Sequence, residues 1–95
     1  MKIYSWSIHK NEILKKKRKI SFEQAMDAMM NEKILDIIKH PNSKKYPDQK
    51  IFIIDIDDYC YLIPFVENND EIFLKTIFPS RKYTKKYKGG KNHER

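Results

Sequence analysis

The stretch KIFIIDIDDYCYLIPFVE, residues 50–67, constrains the fold most, because two apolar runs flank a pair of aspartates. In the first run, Phe52 and Ile54 fall on one face of an extended chain and Ile51 and Ile53 on the other. The aspartates at 57–58 suit a tight turn between the two runs. The sequence therefore predicts an antiparallel hairpin at the centre of the domain.

Further strands are predicted on both sides of this hairpin. Pro64 lies inside the second run and favours an edge strand or a bulge. The turn NND is followed by EIFLKTIF, residues 71–78, which predicts one more strand. KIYSW, residues 2–6, predicts a short strand. ILDIIKH, residues 34–40, is ambiguous between strand and helix, and its β-branched residues with the following Pro41 favour a strand that ends in the loop HPNSKKYPDQ.

Two helices are predicted in the first third of the chain. Residues 8–19 form a cationic helix whose limited apolar contact would come from Ile8, Ile13 and Leu14. Ser21 and Gln24 have the spacing of a capping box and mark the start of a second helix. The apolar stripe of that second helix is expected in the core and consists of Phe22, Ala25, Met26 and Met29.

The chain ends in a basic segment. Ser80, after Pro79, is expected to cap a short terminal helix, and residues 89–95, GGKNHER, are expected to be disordered. The fold class predicted is α+β, with one compact domain over residues 1–88. Two N-terminal helices would pack on a three- to four-stranded antiparallel sheet, followed by the short basic C-terminal helix. The cations of that helix are Arg81, Lys82, Lys85 and Lys86.

Composition limits the size of the core and the cellular locations that are expected for the protein. A chain of 95 residues has room for one small core. No apolar run approaches the roughly 20 residues that a membrane-spanning helix needs, so no membrane partner is expected. The N-terminus lacks the features of a secretory signal, which favours the cytoplasm. The single cysteine, Cys60, lies among apolar residues and is expected to be a buried, inert thiol.

Charge is distributed unevenly along the chain, whose net charge is +7. Residues 1–20 contain seven Lys or Arg and one acid, and residues 81–95 repeat that balance. Residues 21–80 contain eleven acids and six cations. Such polarisation can steer a polyanion onto one surface, and nucleic acid is the expected polyanion. The alternative is that the lysines only keep the protein soluble.

Candidate catalytic groups are few. The acidic stretch DIDD, with Asp55 and Asp57, suggests a metal site, but aspartates are also frequent in hairpin turns, and neither a metal nor a cofactor is expected. His9, His40 and His93 have no zinc-like spacing. His40 is the one histidine of interest, on the hypothesis that its loop lines a cleft. The remaining hypothesis is that four cations converge on a phosphate: Lys50, Lys75, Arg81 and Lys82.

The order of motifs resembles the BrnT family of ribonuclease toxins. At the front, Trp6, Lys10 and Lys17 are followed by ISF at 20–22 and by Ala25. At the end, SRKYTKKY follows an apolar strand, as the family's terminal basic helix does. Together these motifs span most of residues 4–87.

This resemblance implies a RelE-like fold and a metal-independent endoribonuclease, the toxin component of a type II toxin–antitoxin system. The partners it implies are RNA and a ribbon-helix-helix antitoxin that itself binds operator DNA. The alternative is a non-catalytic basic module that binds RNA or the ribosome. The catalytic positions would be Lys50, Arg81, Lys75 and His40, and the RNA-binding positions Lys10, Lys17, Lys44, Lys45, Lys82, Lys85 and Lys86.

The chain departs from the family pattern at several positions. Ser7 stands where the family usually has an aspartate, Leu14 where it has an asparagine in the first helix, and Arg18-Lys19 where it has histidine-glycine before the second helix. Thr76 stands where relatives tend to have an arginine in the last strand, with Lys75 one place further from Arg81. Lys50 occupies the place of another arginine, and lysine lacks the planar, bidentate grip of a guanidinium.

Overall fold

A computed structural model describes residues 2–89 as an α+β domain, which confirms the predicted fold class. Two helices follow a first strand, five further strands come next, and a short helix ends in a π-helical turn, Lys85–Gly89. The elements are β1 (Ile3–Trp6), α1 (Ile8–Arg18), α2 (Phe22–Met30), β2 (Ile34–Lys39), β3 (Lys50–Ile56), β4 (Tyr59–Glu67), β5 (Glu71–Leu74), β6 (Phe78–Pro79) and α3 (Arg81–Thr84). We call residues 81–89 the terminal segment. Residues 90–95, part of the tail predicted to be disordered, lie outside the described residues.

The six strands form one mixed sheet in the order β1-β5-β4-β3-β2, with β6 also paired to β4. β1 runs parallel to β5, with Ile3 opposite Glu71 and Trp6 opposite Leu74. The expectation of three or four strands, all antiparallel, is therefore wrong. β1, at the start of the chain, pairs with β5, near its end. A pairing between strands so far apart in sequence leaves no local sequence pattern.

The hairpin β3–β4 confirms the central prediction. Ile56 lies opposite Tyr59, so Asp57 and Asp58 form a two-residue loop. Both aspartates have positive φ, 53° and 68°. Two consecutive positive φ values are the mark of a type I′ turn, whose twist matches that of the strands it joins.

Pro64 lies in β4, which is a central strand, so the expectation of an edge strand is wrong. Its carbonyl accepts a hydrogen bond from the N–H of Lys75 at 2.8 Å. Pro64 has no N–H to donate, and residues 75–77 opposite it are irregular. The strand predicted over residues 71–78 is consequently split into β5 and β6.

One face of the sheet, which we call the helix face, packs against α1 and α2. Its core contains Phe52, Ile54 and Ile63, which alternate with residues of the other face. The capping box at Ser21 is present, and all four residues of the predicted α2 stripe contact this core, as expected. Ile8 is 79% exposed, so its predicted contact is wrong, because the start of α1 projects beyond the core.

The opposite face, which we call the terminal face, packs against the terminal segment. Ile51, Ile53 and Leu62 are buried here together with Cys60, as predicted for that thiol, and burial raises its pKa. No helix within residues 2–89 is both long and apolar enough to cross a lipid bilayer.

Candidate nucleic-acid interface

The start of α3 is fixed to the sheet by hydrogen bonds. Ser80 Oγ accepts from the N–H of Tyr83 at 3.1 Å, which confirms the predicted cap. Thr84 Oγ1 donates to the carbonyl of Ser80 at 2.7 Å and accepts from the N–H of Cys60 at 2.9 Å. Because Cys60 belongs to β4, these bonds set the position of Arg81 relative to the sheet.

Two tyrosines form the inner side of the terminal segment. Tyr83 and Tyr87, which are one helical turn apart in sequence, stack with ring centroids 6.4 Å apart. Both pack against the core of the terminal face. The hydroxyl of Tyr87 donates to Asp36 Oδ2 at 3.1 Å. Burial, together with this carboxylate, raises the pKa of Tyr87.

Lys88 also faces inward, and it was not among the residues predicted for the site from the sequence. Its ammonium lies 2.7 Å from Asp55 Oδ2 and 2.8 Å from Asp58 Oδ1. The two carboxylates hold the pKa of Lys88 far above its usual range. The signal in the sequence was the DIDD cluster itself, because a carboxylate such as Asp55, in a run that is otherwise apolar, needs a cation when it is partly buried.

The remaining cations of the terminal segment point away from the sheet and are exposed. Among residues 2–88, none of them is paired with a carboxylate. Lys82 lies 5.5 Å from the ring centroid of Tyr83, and Lys86 lies 5.8 and 5.6 Å from those of Tyr83 and Tyr87. Within the described residues, the segment is therefore neutralised on its inner side and carries four positive charges outward that have no carboxylate partner there, those of Arg81, Lys82, Lys85 and Lys86.

The predicted convergence of Lys50 with Arg81 is not seen. Lys50 lies opposite Phe65, whereas the N–H of Ser80 bonds to the carbonyl of Cys60. Phe65 and Cys60 are five residues apart on β4, which corresponds to about 17 Å along the strand. Lys50 instead pairs with Glu67 at 3.3 Å.

His40 lies at the same end of the sheet as Lys50, in the loop between β2 and β3. Its Nδ1 accepts a hydrogen bond from the N–H of Asn42 at 3.0 Å, and its ring stands 4.4 Å from that of Tyr46. Lys44 and Lys45 are exposed in the same loop. These residues form a second basic group, separate from the terminal segment.

The other predicted RNA-binding cations belong to α1. Lys17 is exposed and Lys10 is half-buried. Leu14 of the same helix packs into the core of the helix face. Lys10 and Lys17 therefore lie on the opposite side of the sheet from the terminal segment.

A cleft of about 510 Å³ lies beside α2, and its charge excludes it as a polyanion site. Four carboxylates line it, accompanied by Lys33. Like charges repel a phosphate backbone, so the outward side of the terminal segment is the better candidate surface. The carboxylates are those of Glu23, Asp27, Asp55 and Asp57.

The fold and this surface define a small α+β domain with a basic helix docked on its sheet. Comparisons with models of protein families, with curated proteins and with solved structures found no match to the chain.

Proposed function

We propose that this protein is the toxin of a type II toxin–antitoxin system and cleaves RNA in the cytoplasm without a metal ion. The observation that carries the proposal is the division of charge in the terminal segment. Tyr87 and Lys88 are bonded to acids of the sheet, while Arg81, Lys82 and Lys85 are exposed without carboxylate partners among residues 2–88. The motif order described above supplies the enzymatic part of the proposal.

Metal-free cleavage uses the nucleophile that RNA carries, the 2′-hydroxyl beside each scissile phosphate. Arg81 would stabilise the charge that develops on the phosphorane, a contribution of about 3 kcal/mol for a preorganised donor. Arg81 suits this role because the cap at Ser80 and the hydrogen bond between Ser80 and β4 both restrict the backbone that carries its guanidinium. Lys75 follows β5, on the side of β4 from which Ser80 also bonds to it, and is the second cation proposed for the substrate.

Lys50 and His40 take a different role in this proposal. His40 lies toward the other end of β4 from Arg81, so we assign it, with Lys44 and Lys45, to contacts with more distant phosphates. Lys50 shares the helix face with Phe52 and pairs with Glu67, so it is not assigned to the substrate. Lys10 and Lys17 are on the other side of the sheet and are not assigned to the substrate. A ribbon-helix-helix antitoxin, the partner implied by the resemblance, would inhibit by covering the terminal segment with acidic side chains.

A second function, a non-catalytic module that binds RNA or the ribosome, is favoured by one observation. The distance between Lys50 and Arg81 leaves Arg81 without Lys50, one of the cations that the resemblance implies beside it. Phosphate binding by exposed lysines requires no such convergence.

Incubation of the purified protein with a long messenger RNA and a metal chelator separates these functions. The Arg81→Ala variant is the test, and Lys85→Ala, which removes an exposed charge from the same segment, is the matched control. Cleavage by the wild type and by Lys85→Ala, but not by Arg81→Ala, supports the ribonuclease. Intact RNA with all three folded proteins contradicts it and leaves the binding module.

A further inference from the structure

The terminal segment covers only part of the terminal face. Phe73 of β5 is flanked by Ser5 of β1 and Val66 of β4. Its neighbours Ile72 and Leu74 point into the core of the helix face, so Phe73 points the other way. Phe73 belongs to neither hydrophobic core, although it is a large aromatic residue.

Phe73 is half-buried, and its surroundings are mostly apolar, with one cation, Lys75, and one carboxylate, Glu71, which accepts a hydrogen bond from Ser5 opposite Phe73. Val66, opposite it on β4, is half-buried and also outside both cores. Tyr4 and Trp6 of β1 pack on the helix face, so Ile3 of the same strand lies on the terminal face with Phe73. Ile3 is 70% exposed. Lys75 Nζ stands 5.8 Å from the centroid of the Phe73 ring.

These residues lie in line with the terminal segment. Phe73 is opposite Val66 on β4, the N–H of Lys75 bonds to Pro64, and the N–H of Ser80 bonds to Cys60. An extended ligand that lies on the terminal face along β4 therefore meets the aromatic ring first, then Lys75, then Arg81. The distance from the ring to the start of α3 is about 20 Å along the strand.

We propose that Phe73 is a stacking platform for a nucleobase of single-stranded RNA, with Lys75 binding the adjoining phosphate. The inference rests on the proposed function and adds a base-binding subsite to it. Aromatic rings interleaved with cations along a groove are how proteins bind single strands, because every base presents a π-face. The line of Phe73, Lys75 and Arg81 has this composition, which favours RNA over an apolar protein surface as the occupant.

Binding of a short, 2′-O-methylated single-stranded RNA, measured by fluorescence anisotropy, tests the platform. Methylation removes the nucleophile, so binding is measured without cleavage. Phe73→Leu keeps an apolar side chain but removes the ring, and Phe73→Tyr keeps the ring. A second oligomer of equal length, with abasic riboses in place of nucleotides, reports phosphate binding alone.

The expected result is a loss of about tenfold in affinity for the RNA in Phe73→Leu. Phe73→Tyr should bind like the wild type, and all three proteins should bind the abasic oligomer equally. Unchanged RNA affinity in Phe73→Leu, while Arg81→Ala still binds more weakly, overturns the platform and leaves the proposed function standing. If Phe73→Leu instead abolishes a self-association seen by sedimentation, the patch is a protein interface. No RNA binding by the wild type overturns both proposals.

Discussion

The ammonium of Lys88 lies between Asp55 of β3 and Asp58 of the β3–β4 turn, 2.7 and 2.8 Å from their carboxylate oxygens. One side chain thus joins the last turn of the terminal segment to the central hairpin. The side chains of Lys88 and Asp55 are 23% and 13% exposed, so this ion pair is partly removed from water. Lys88 therefore attaches the terminal segment to the hairpin, whereas Lys82, Lys85 and Lys86 are exposed.

Replacing Lys88 with methionine should destabilise the protein. The change keeps most of the aliphatic stem but leaves Asp55 partly buried without its cation, at a cost of about 1 to 3 kcal/mol. Lys85→Met is the control, since Lys85 is exposed, and it should change the unfolding free energy by less than about 0.5 kcal/mol. Urea titration measures both. Equal midpoints for the two variants would show that the Lys88 pair does not stabilise the fold.

The thiol of Cys60 should report the docking of the terminal segment. Its Sγ lies 3.5 Å from the carbonyl of Tyr83, and the side chain is fully buried. Burial also raises the pKa of the thiol, which lowers the thiolate fraction that reacts. Labelling with a thiol reagent should be slow in the wild type and faster in Lys88→Met. Equal rates in native buffer would mean that release of Lys88 does not expose Cys60.

Stability should fall at both extremes of pH. The pKa values of Lys88 and Tyr87 are raised in the folded state, so their contribution is complete below about pH 10 and is lost as the pH rises further. Hydrogen bonds from Lys2 and Lys50 lower the pKa of Glu67, so its contribution is present above about pH 4.3 and is lost as the pH falls. Urea midpoints measured from pH 3 to 11 test this.

The Lys88→Met variant isolates the alkaline side of that profile. It should lose less stability than the wild type above about pH 10, because the titrating ammonium is absent. If the wild type and Lys88→Met lost equal stability above pH 10, groups other than Lys88 would be responsible for the alkaline transition.

Asn11 should be the most sensitive polar position of α1. It is 4% exposed, its Nδ2 donates to Glu23 Oε1 at 2.8 Å, and its Oδ1 accepts from the N–H of Phe22 at 2.8 Å. Asn11→Leu leaves that N–H buried without a partner and should cost about 1 to 3 kcal/mol. Glu12→Gln, at an exposed position of the same helix, should be near neutral.

A second readout separates this bond from simple loss of packing. The hydrogen bond from Asn11 is the main reason that the pKa of Glu23 is lowered. In Asn11→Leu the pKa of Glu23, followed by NMR, should rise toward its ordinary value. An unchanged titration of Glu23 would show that Asn11 acts only through the N–H of Phe22.

Local patterns were sufficient for the elements whose causes are local. The alternation in β3, the aspartates of the turn and the box of Ser21 with Gln24 each depend on residues a few positions apart, and each prediction was confirmed. The pairing of β1 with β5 depends on residues at opposite ends of the chain. Its energy comes from the assembled sheet, so a single sequence does not reveal it.

The candidate site divides in the same way. The cap at Ser80 and the stack of Tyr83 on Tyr87 follow from helical spacing and could be predicted. The separation of Lys50 from Arg81 follows from the register of β4 with its neighbours, which is set by tertiary packing. Lys88 looked like its neighbouring lysines because only the folded chain brings it to Asp55.

The central claim, that RNA binds the outward side of the terminal segment, is tested most directly by the salt dependence of RNA affinity. The variant neutralises three exposed lysines of the segment with glutamine, at positions 82, 85 and 86. The control neutralises three exposed lysines elsewhere, at positions 16, 19 and 33. Both proteins lose the same net charge, so they differ only in where the charge is removed.

For single strands the logarithm of affinity falls with the logarithm of salt by about 0.7 for each phosphate contacted. The terminal variant should therefore show a slope shallower than that of the wild type by about 2. The control should keep the slope of the wild type. An unchanged slope in the terminal variant, or an equal reduction in both variants, would contradict the placement of RNA on this surface.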